Sequence, residues 1–242
     1  MKTLLVVLIL SCGSWALGAA GLSERSLIKA GATEVAVRYI GHASLILEQG
    51  GKVIHVDPVG REGDYAALPK ADLILVTHEH FDHFDPAAIA LVAKPGAEIV
   101  LSRACRDKLG KGTVLRNGEK ATVQGVLVEA VPAYNIISMR SPGVPFHPRG
   151  QGNGYILTLG EARVYIAGDS EATPEMKALT SIDAAFLPVM TPYTMSPEMA
   201  AQAVGAFRPR VVFPYHSSDE FLALAVPLLE AVKGVEVRVL KK

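Results

Sequence analysis

Within Thr77-His78-Glu79-His80-Phe81-Asp82-His83-Phe84-Asp85-Pro86, His78, His80, Asp82 and His83 place three imidazoles and a carboxylate inside six residues. Imidazole nitrogen and carboxylate oxygen are ligands for divalent zinc, manganese, iron and nickel. A polar turn rich in histidine needs no particular order, and His-x-His-x-Asp-His is far more specific than one histidine pair. The chemistry to expect here is metal coordination.

Coordination requires convergence, so the flanking elements matter. Ala71-Asp72-Leu73-Ile74-Leu75-Val76 is a short, partly β-branched apolar run and reads as a buried strand. Asp85 before Pro86 reads as a helix start, an N-cap side chain followed by proline at the first helical position. The four ligand-type residues therefore sit on a strand-to-helix turn. Two more follow apolar strands: Arg163-Val164-Tyr165-Ile166-Ala167-Gly168 leads to Asp169, and Arg210-Val211-Val212-Phe213-Pro214-Tyr215 leads to His216. Asp57 closes a further strand at 52–56. Layered α/β folds assemble their sites at such strand ends.

The remaining pattern is read in the same way. Strands are expected at 34–40, 43–47, 98–101, 114–116, 121–131, 155–159, 162–167, 184–189, 210–213 and 235–240, with helices at 86–93, 103–109, 174–179, 196–207 and 220–232. Pro132, Pro142, Pro145, Pro148 and several glycines mark 132–154 as a long loop, a kind of segment that often carries function. Two halves, each a set of strands followed by helices and with no linker between, indicate one α/β domain of two sheets covered by helices.

The chain has 242 residues, half of them hydrophobic, and a formal net charge of zero, so it lacks the basic excess of a nucleic-acid binder. Lys2, the short apolar run 3–10 and the small residues Ala16-Leu17-Gly18 and Gly18-Ala19-Ala20 read as a signal peptide over 1–20. The folded domain is expected over 33–242, exported to the periplasm or beyond. Ile9-Leu10-Ser11-Cys12 offers the alternative of a lipoprotein anchored through Cys12. Cys105 is the only other cysteine, so the mature domain closes no internal disulfide, and this thiol reads as a small buried hydrophobe.

The order His78-x-His80-x-Asp82-His83, Gly168-Asp169, Tyr215-His216 resembles the metallo-β-lactamase superfamily of metal-dependent hydrolases. Gly41-His42-Ala43-Ser44, Val131-Pro132-Ala133-Tyr134-Asn135, Phe146-His147-Pro148 and Leu187-Pro188-Val189 are similar to its branch near L-ascorbate-6-phosphate lactonases and N-acylphosphatidylethanolamine-hydrolysing phospholipases. The resemblance spans roughly 33–242 and implies a four-layer αββα sandwich of two mixed sheets, with the site at one edge of both. It implies that His78 and His80 bind one divalent ion, that Asp82, His83 and His216 bind a second, and that Asp169 bridges them. Zinc is the first expectation, with manganese, iron or nickel as alternatives. A metal-activated hydroxide would then attack an ester, lactone or phosphodiester, with Asp82 accepting its proton or orienting it. No Gly-x-Ser-x-Gly elbow supplies a serine instead. The alternative is a metal-binding module of the same fold without turnover, against which the two carboxylates Asp82 and Asp169 argue. A branch using two irons for redox chemistry resembles His-x-Glu-x-Asp, and here His80 stands in the glutamate position.

One departure from the superfamily pattern stands out. Many members carry a third histidine for the first ion where this chain reads Ala133-Tyr134-Asn135. The first site is therefore expected to be weaker, emptier or completed by water or substrate, and β-lactam cleavage is not expected. His147, in the long loop, is a substitute ligand or a substrate contact. Tyr134 and Asn135 are candidate donors to a developing oxyanion. Asp57 either holds a ligand histidine through its second ring nitrogen or caps a turn, and His42 lines the pocket. The partner to expect is a small-molecule or lipid-like substrate, with no nucleic acid, and a membrane only through lipidation at Cys12.

Overall fold

Antiparallel hairpins open the described chain, residues 25–242 of a computed structural model. The expected export signal at 1–20 and Cys12 lie outside the described residues. β1 (Arg25–Ala30), β2 (Thr33–Gly41), β3 (Ser44–Gln49) and β4 (Lys52–Val56) run antiparallel in sequence order. β5 (Ala71–Val76), β6 (Ala93–Leu101) and β7 (Thr113–Val114) then add in parallel, with crossover helices α1 (Pro86–Val92) and α2 (Arg103–Leu109). Asp85 caps α1 by accepting from the backbone N–H groups of Ala87 and Ala88, which fixes where the histidine turn ends.

The second half repeats the plan. β8 (Lys120–Val123) and β9 (Val126–Ala133) form a hairpin, followed by the small separate hairpin β10 (Met139–Ser141) and β11 (Val144–Pro145). β12 (Gly152–Leu159) pairs antiparallel with β9, and β13 (Ala162–Ile166) pairs antiparallel with β12. After α3 (Pro174–Lys177), β14 (Ala184–Pro188), α4 (Pro197–Phe207), β15 (Val211–Tyr215), α5 (Asp219–Glu230) and β16 (Glu236–Val237) follow, the strands now adding in parallel. Each sheet has seven strands, ordered β1-β2-β3-β4-β5-β6-β7 and β16-β15-β14-β13-β12-β9-β8.

Period-two alternation sorts the core into three layers of contact. Leu73 and Leu75 face the opposing sheet, where Leu157, Phe186 and Phe213 meet them. Their neighbours Ile74 and Val76 face outward onto Ile89 and Val92 of α1 and Cys105 of α2. On the other side Tyr165, Leu187 and Val212 pack against Met176, Val204, Phe207 and Leu229 of the remaining helices. Strands covered on both faces read as continuous apolar runs, which is why β5 shows no polar alternation. The result is the αββα sandwich of two mixed sheets. Among the described residues no helix is long and apolar enough to cross a membrane.

Four stretches differ from the sequence reading. The strand expected over 121–131 is a hairpin, broken at Gln124-Gly125, both at positive φ. The expected loop over 132–154 is partly regular, because β9 runs on to Ala133, β12 begins at Gly152 and β10 pairs with β11 between them. The last strand covers only Glu236–Val237, and β1 precedes the first strand read from the sequence.

Candidate metal centre

The site forms where the parallel strands of both sheets end. His42, Asp57 and His216 each take a left-handed backbone, with φ of 50°, 43° and 47°. That conformation is uncommon for residues other than glycine, and here it turns the chain sharply at strand ends that carry site residues. Gly168 precedes Asp169 with φ of 61°, and a Cβ there would meet the Asn153 carbonyl oxygen at 2.8 Å. Only glycine lets β13 end this close to β12.

Asp57 is completely buried behind the histidine turn. Its Oδ1 accepts from the Thr77 N–H at 2.8 Å, and its Oδ2 accepts from Thr77 Oγ1 at 2.7 Å and from His83 Nδ1 at 2.8 Å. Thr77 Oγ1 also lies 3.0 Å from His78 Nδ1. With the hydroxyl proton given to Asp57, Thr77 accepts from His78, so both histidines carry their proton on Nδ1. Both therefore turn an Nε2 lone pair inward.

Two ligand sets result. His78 Nε2, His80 Nδ1 and His147 Nε2 form the first, at 3.1 Å between His78 and His80 and 3.2 Å between His80 and His147. His42, Asp82, His83 and His216 form the second, their ligand atoms all within 4.8 Å of one another. Asp169 lies between the sets. Its Oδ2 is 3.3 Å from His147 Nε2 and 3.9 Å from His78 Nε2, while its Oδ1 is 3.3 Å from His83 Nε2 and 3.2 Å from His216 Nε2.

These residues fit a metal. His83 Nε2, His216 Nε2 and Asp169 Oδ1 are buried without a hydrogen-bond partner. Orphaned buried polar atoms are costly, and here the Nε2 lone pair of His83 faces a carboxylate oxygen. Such a slot calls for positive charge. Burial opposes ionisation of Asp169, yet His216, His83 and His147 hold its carboxyl well below the usual range. Burial likewise opposes a charge on His83, yet Asp169 and Asp57 hold it well above the ordinary imidazole value, so a proton takes the Nε2 lone pair wherever no cation does. Burial and the neighbouring His83 push His78 well below that value. Nitrogen and oxygen ligands without thiolate suit zinc, manganese, iron or nickel.

The candidates from the sequence fall into distinct places. His147 takes the first of the two places expected for it. It joins His78 and His80, so the third histidine absent from 133–135 is supplied twelve residues beyond Asn135. The expectation of a weakened first site loses that basis, and the expectation against β-lactam cleavage is left with the branch motifs alone. Asn135 stands behind His147. Its Oδ1 accepts from the His147 N–H at 2.9 Å and Nδ1 at 2.7 Å, and its Nδ2 donates to the Tyr193 carbonyl at 2.9 Å. The amide is thereby spent on orienting a histidine rather than on an oxyanion. Tyr134 is turned away, its hydroxyl donating to Glu175 at 3.0 Å. His42 Nε2 donates to Asp82 Oδ2 at 3.1 Å, and its ring lies 3.8 Å from that of His216. Burial opposes it, but the His42 hydrogen bond and His83 hold the Asp82 carboxyl well below its usual value. Cys105 is remote from this cluster, and burial pushes its thiol up to about 12.

Three residues were missed. Thr77 lies beside the motif, and its hydroxyl between Asp57 and two histidines became visible only in space. Glu171 is almost fully buried and accepts from the N–H groups of Ile136, Ile137 and Ser138 at 2.7–2.8 Å. Bonds to backbone leave no sequence signature. Arg140, on β10, reaches into the pocket in front of the ligands. That pocket holds about 540 Å³, with His80, Asp82, His147, Asp169 and His216 on its floor. Phe81, Arg140, Phe146, Met190 and Tyr193 form its walls.

The geometry agrees with comparisons to known proteins. Residues 36–216 match the family described as the beta-lactamase superfamily domain. A metal-dependent hydrolase of Thermococcus kodakarensis is 35% identical over 195 residues, covering 75% of this chain and 84% of that protein. The chain belongs to the metal-dependent hydrolases of the metallo-β-lactamase superfamily. A crystal structure from Parabacteroides distasonis, assigned to the metal-dependent hydrolases, is similar to this hydrolase with a TM-score of 0.85 and 44% identity, over 90% of this chain and 98% of that one. A metallo hydrolase of Ignicoccus hospitalis matches with a TM-score of 0.67 and 28% identity, over 85% and 94%.

Proposed function

We propose that this hydrolase works with two divalent ions, zinc foremost, and cleaves an ester, lactone or phosphodiester. One observation carries the reading: the two oxygens of Asp169 face two separate ligand sets. Ions held there would lower the pKa of bound water toward about 7 and polarise a carbonyl or phosphoryl oxygen. The protein's own part is orientation. Asp57 and Thr77 fix the rings of His83 and His78, and Asn135 fixes His147. Asp82, restrained by His42, would accept the hydrogen bond that orients the attacking water. Among the described residues no serine or cysteine lines the pocket, which supports water as the nucleophile.

Elemental analysis of the protein purified without chelator tests this. Two ions per chain are expected in the wild type, with one retained in His78→Ala and one in His216→Ala. Bis(4-nitrophenyl) phosphate, 4-nitrophenyl acetate and a γ-lactone screen the three bond types. A single ion, lost only in His216→Ala, would refute the binuclear centre. No bound metal would refute the hydrolytic reading and leave a fold without its chemistry.

A further inference from the structure

We infer that Arg140 and the outer nitrogen of His80 form an oxyanion seat in the pocket, so that the substrate carries a carboxylate or phosphate group beside the bond that is cleaved. This inference rests on the hydrolytic reading above and adds the charge of the substrate to it.

Arg140 Nη2 lies 3.4 Å from His80 Nε2. The other ring nitrogen, His80 Nδ1, faces His78 Nε2 and His147 Nε2 in the first ligand set. A ring that ligates through Nδ1 carries its proton on Nε2. A guanidinium has donors only. A cation on Nδ1, by placing the proton on Nε2, would therefore take away the acceptor of Arg140 and leave two N–H groups together at the rim of the site.

Among the described residues, Arg140 is also the only lysine or arginine lining the pocket. Arg149, Arg163 and Arg210 each reach a carboxylate within 3.1 Å. Arg140 has none within 4.0 Å among the described residues. It is steered instead by the Phe146 ring, whose centroid lies 5.9 Å from the guanidinium carbon. A guanidinium on a partly apolar wall, with its fork open, suits bidentate recognition of carboxylate or phosphate. The backbone leading to β10 is itself held, because Glu171 binds three consecutive N–H groups just before it. Phe81, Met190 and Tyr193 offer the rest of the ligand an apolar surface. Arg140 is thus a specificity-determining residue whose partner is the substrate.

Titration calorimetry on metal-loaded protein tests the seat without turnover, using benzylphosphonate, phenylacetate and neutral benzyl alcohol as probes. The wild type is expected to bind at least one anion, and Arg140→Gln to weaken it about 10- to 100-fold, the range of a lost charge-assisted hydrogen bond. The stronger of the two anions in the wild type identifies the oxyanion. Benzyl alcohol is expected to bind the two proteins alike. Arg149→Gln, an arginine paired with Glu175 outside the pocket, keeps anion affinity within about twofold. Equal anion affinity in wild type and Arg140→Gln overturns the inference, as does failure of the wild type to bind either anion at millimolar concentration. Turnover of the screen substrates with unchanged affinity would sink this inference alone. An Arg140-dependent seat in a protein that cleaves nothing would sink the hydrolytic reading alone.

Discussion

Asp57 shows how much of this site depends on a side chain that touches no substrate. Its two oxygens receive a backbone N–H, a hydroxyl and an imidazole N–H, all within 2.8 Å. The sequence offered it only as an aspartate at a strand end before proline, equally readable as a turn cap. What decides between the readings is the distance to His83, which no local pattern contains. The substitution Asp57→Asn separates the two roles, since asparagine also tolerates the left-handed backbone at this position. It removes the charge that holds the Nδ1–H of His83. Metal affinity, measured by competition with a chromophoric chelator, is expected to fall about 10- to 100-fold. Unchanged affinity would reduce Asp57 to a cap. The contrast with His78, His80, Asp82 and His83 is instructive: those four were legible because one turn carries them all. Asp169 and His216 each come after a strand, a weak signal by itself, and were legible through the resemblance that joined them to the turn.

At the scale of elements, the histidine missing from 133–135 is a lesson about loops. Prolines and glycines between 132 and 154 mark a loop that is irregular only in part, and they carry no record of where that chain returns. β10 and β11 fold it back, and His147 arrives beside His80 with Asn135 behind it. Glu171 holds the outward limb. Burial opposes its ionisation, yet the N–H groups of Ile137, Ser138 and Ile136 keep its carboxyl below the usual range. Glu171→Gln leaves one oxygen where two had served three donors. Hydrogen exchange at the amides of Ile136, Ile137 and Ser138 is expected to quicken at least tenfold, an order of magnitude set by the loss of a charged acceptor. KM should rise several-fold while metal content stays at the wild-type value. Exchange unchanged at these three amides would show that β10 is held by its own packing instead.

For the whole molecule, the two halves meet in two quite different ways. Most of the interface is apolar, Leu73 and Leu75 of one sheet against Phe186 and Phe213 of the other. This was legible in outline, because each half repeats strands followed by helices. At one edge the junction is instead polar: His78, His80, Asp82 and His83 come from the first half, and His147, Asp169 and His216 from the second. A cation bound there would tie the halves together, and its removal would leave His83 Nε2, His216 Nε2 and Asp169 Oδ1 buried without a partner. Binding at a thousandfold above Kd stabilises a fold by about 4 kcal/mol, and for a domain of this size each kcal/mol moves Tm by about 2–4 °C. Chelation is therefore expected to lower Tm by roughly 10 °C, with recovery on adding back zinc or manganese. His216→Ala, which already lacks part of the second set, should respond less. Calorimetry on protein shown by elemental analysis to be metal-free makes the comparison. A Tm that stays put after complete removal would mean that the apolar interface alone joins the halves, and that the ligand cluster is held in place by the fold rather than helping to hold it.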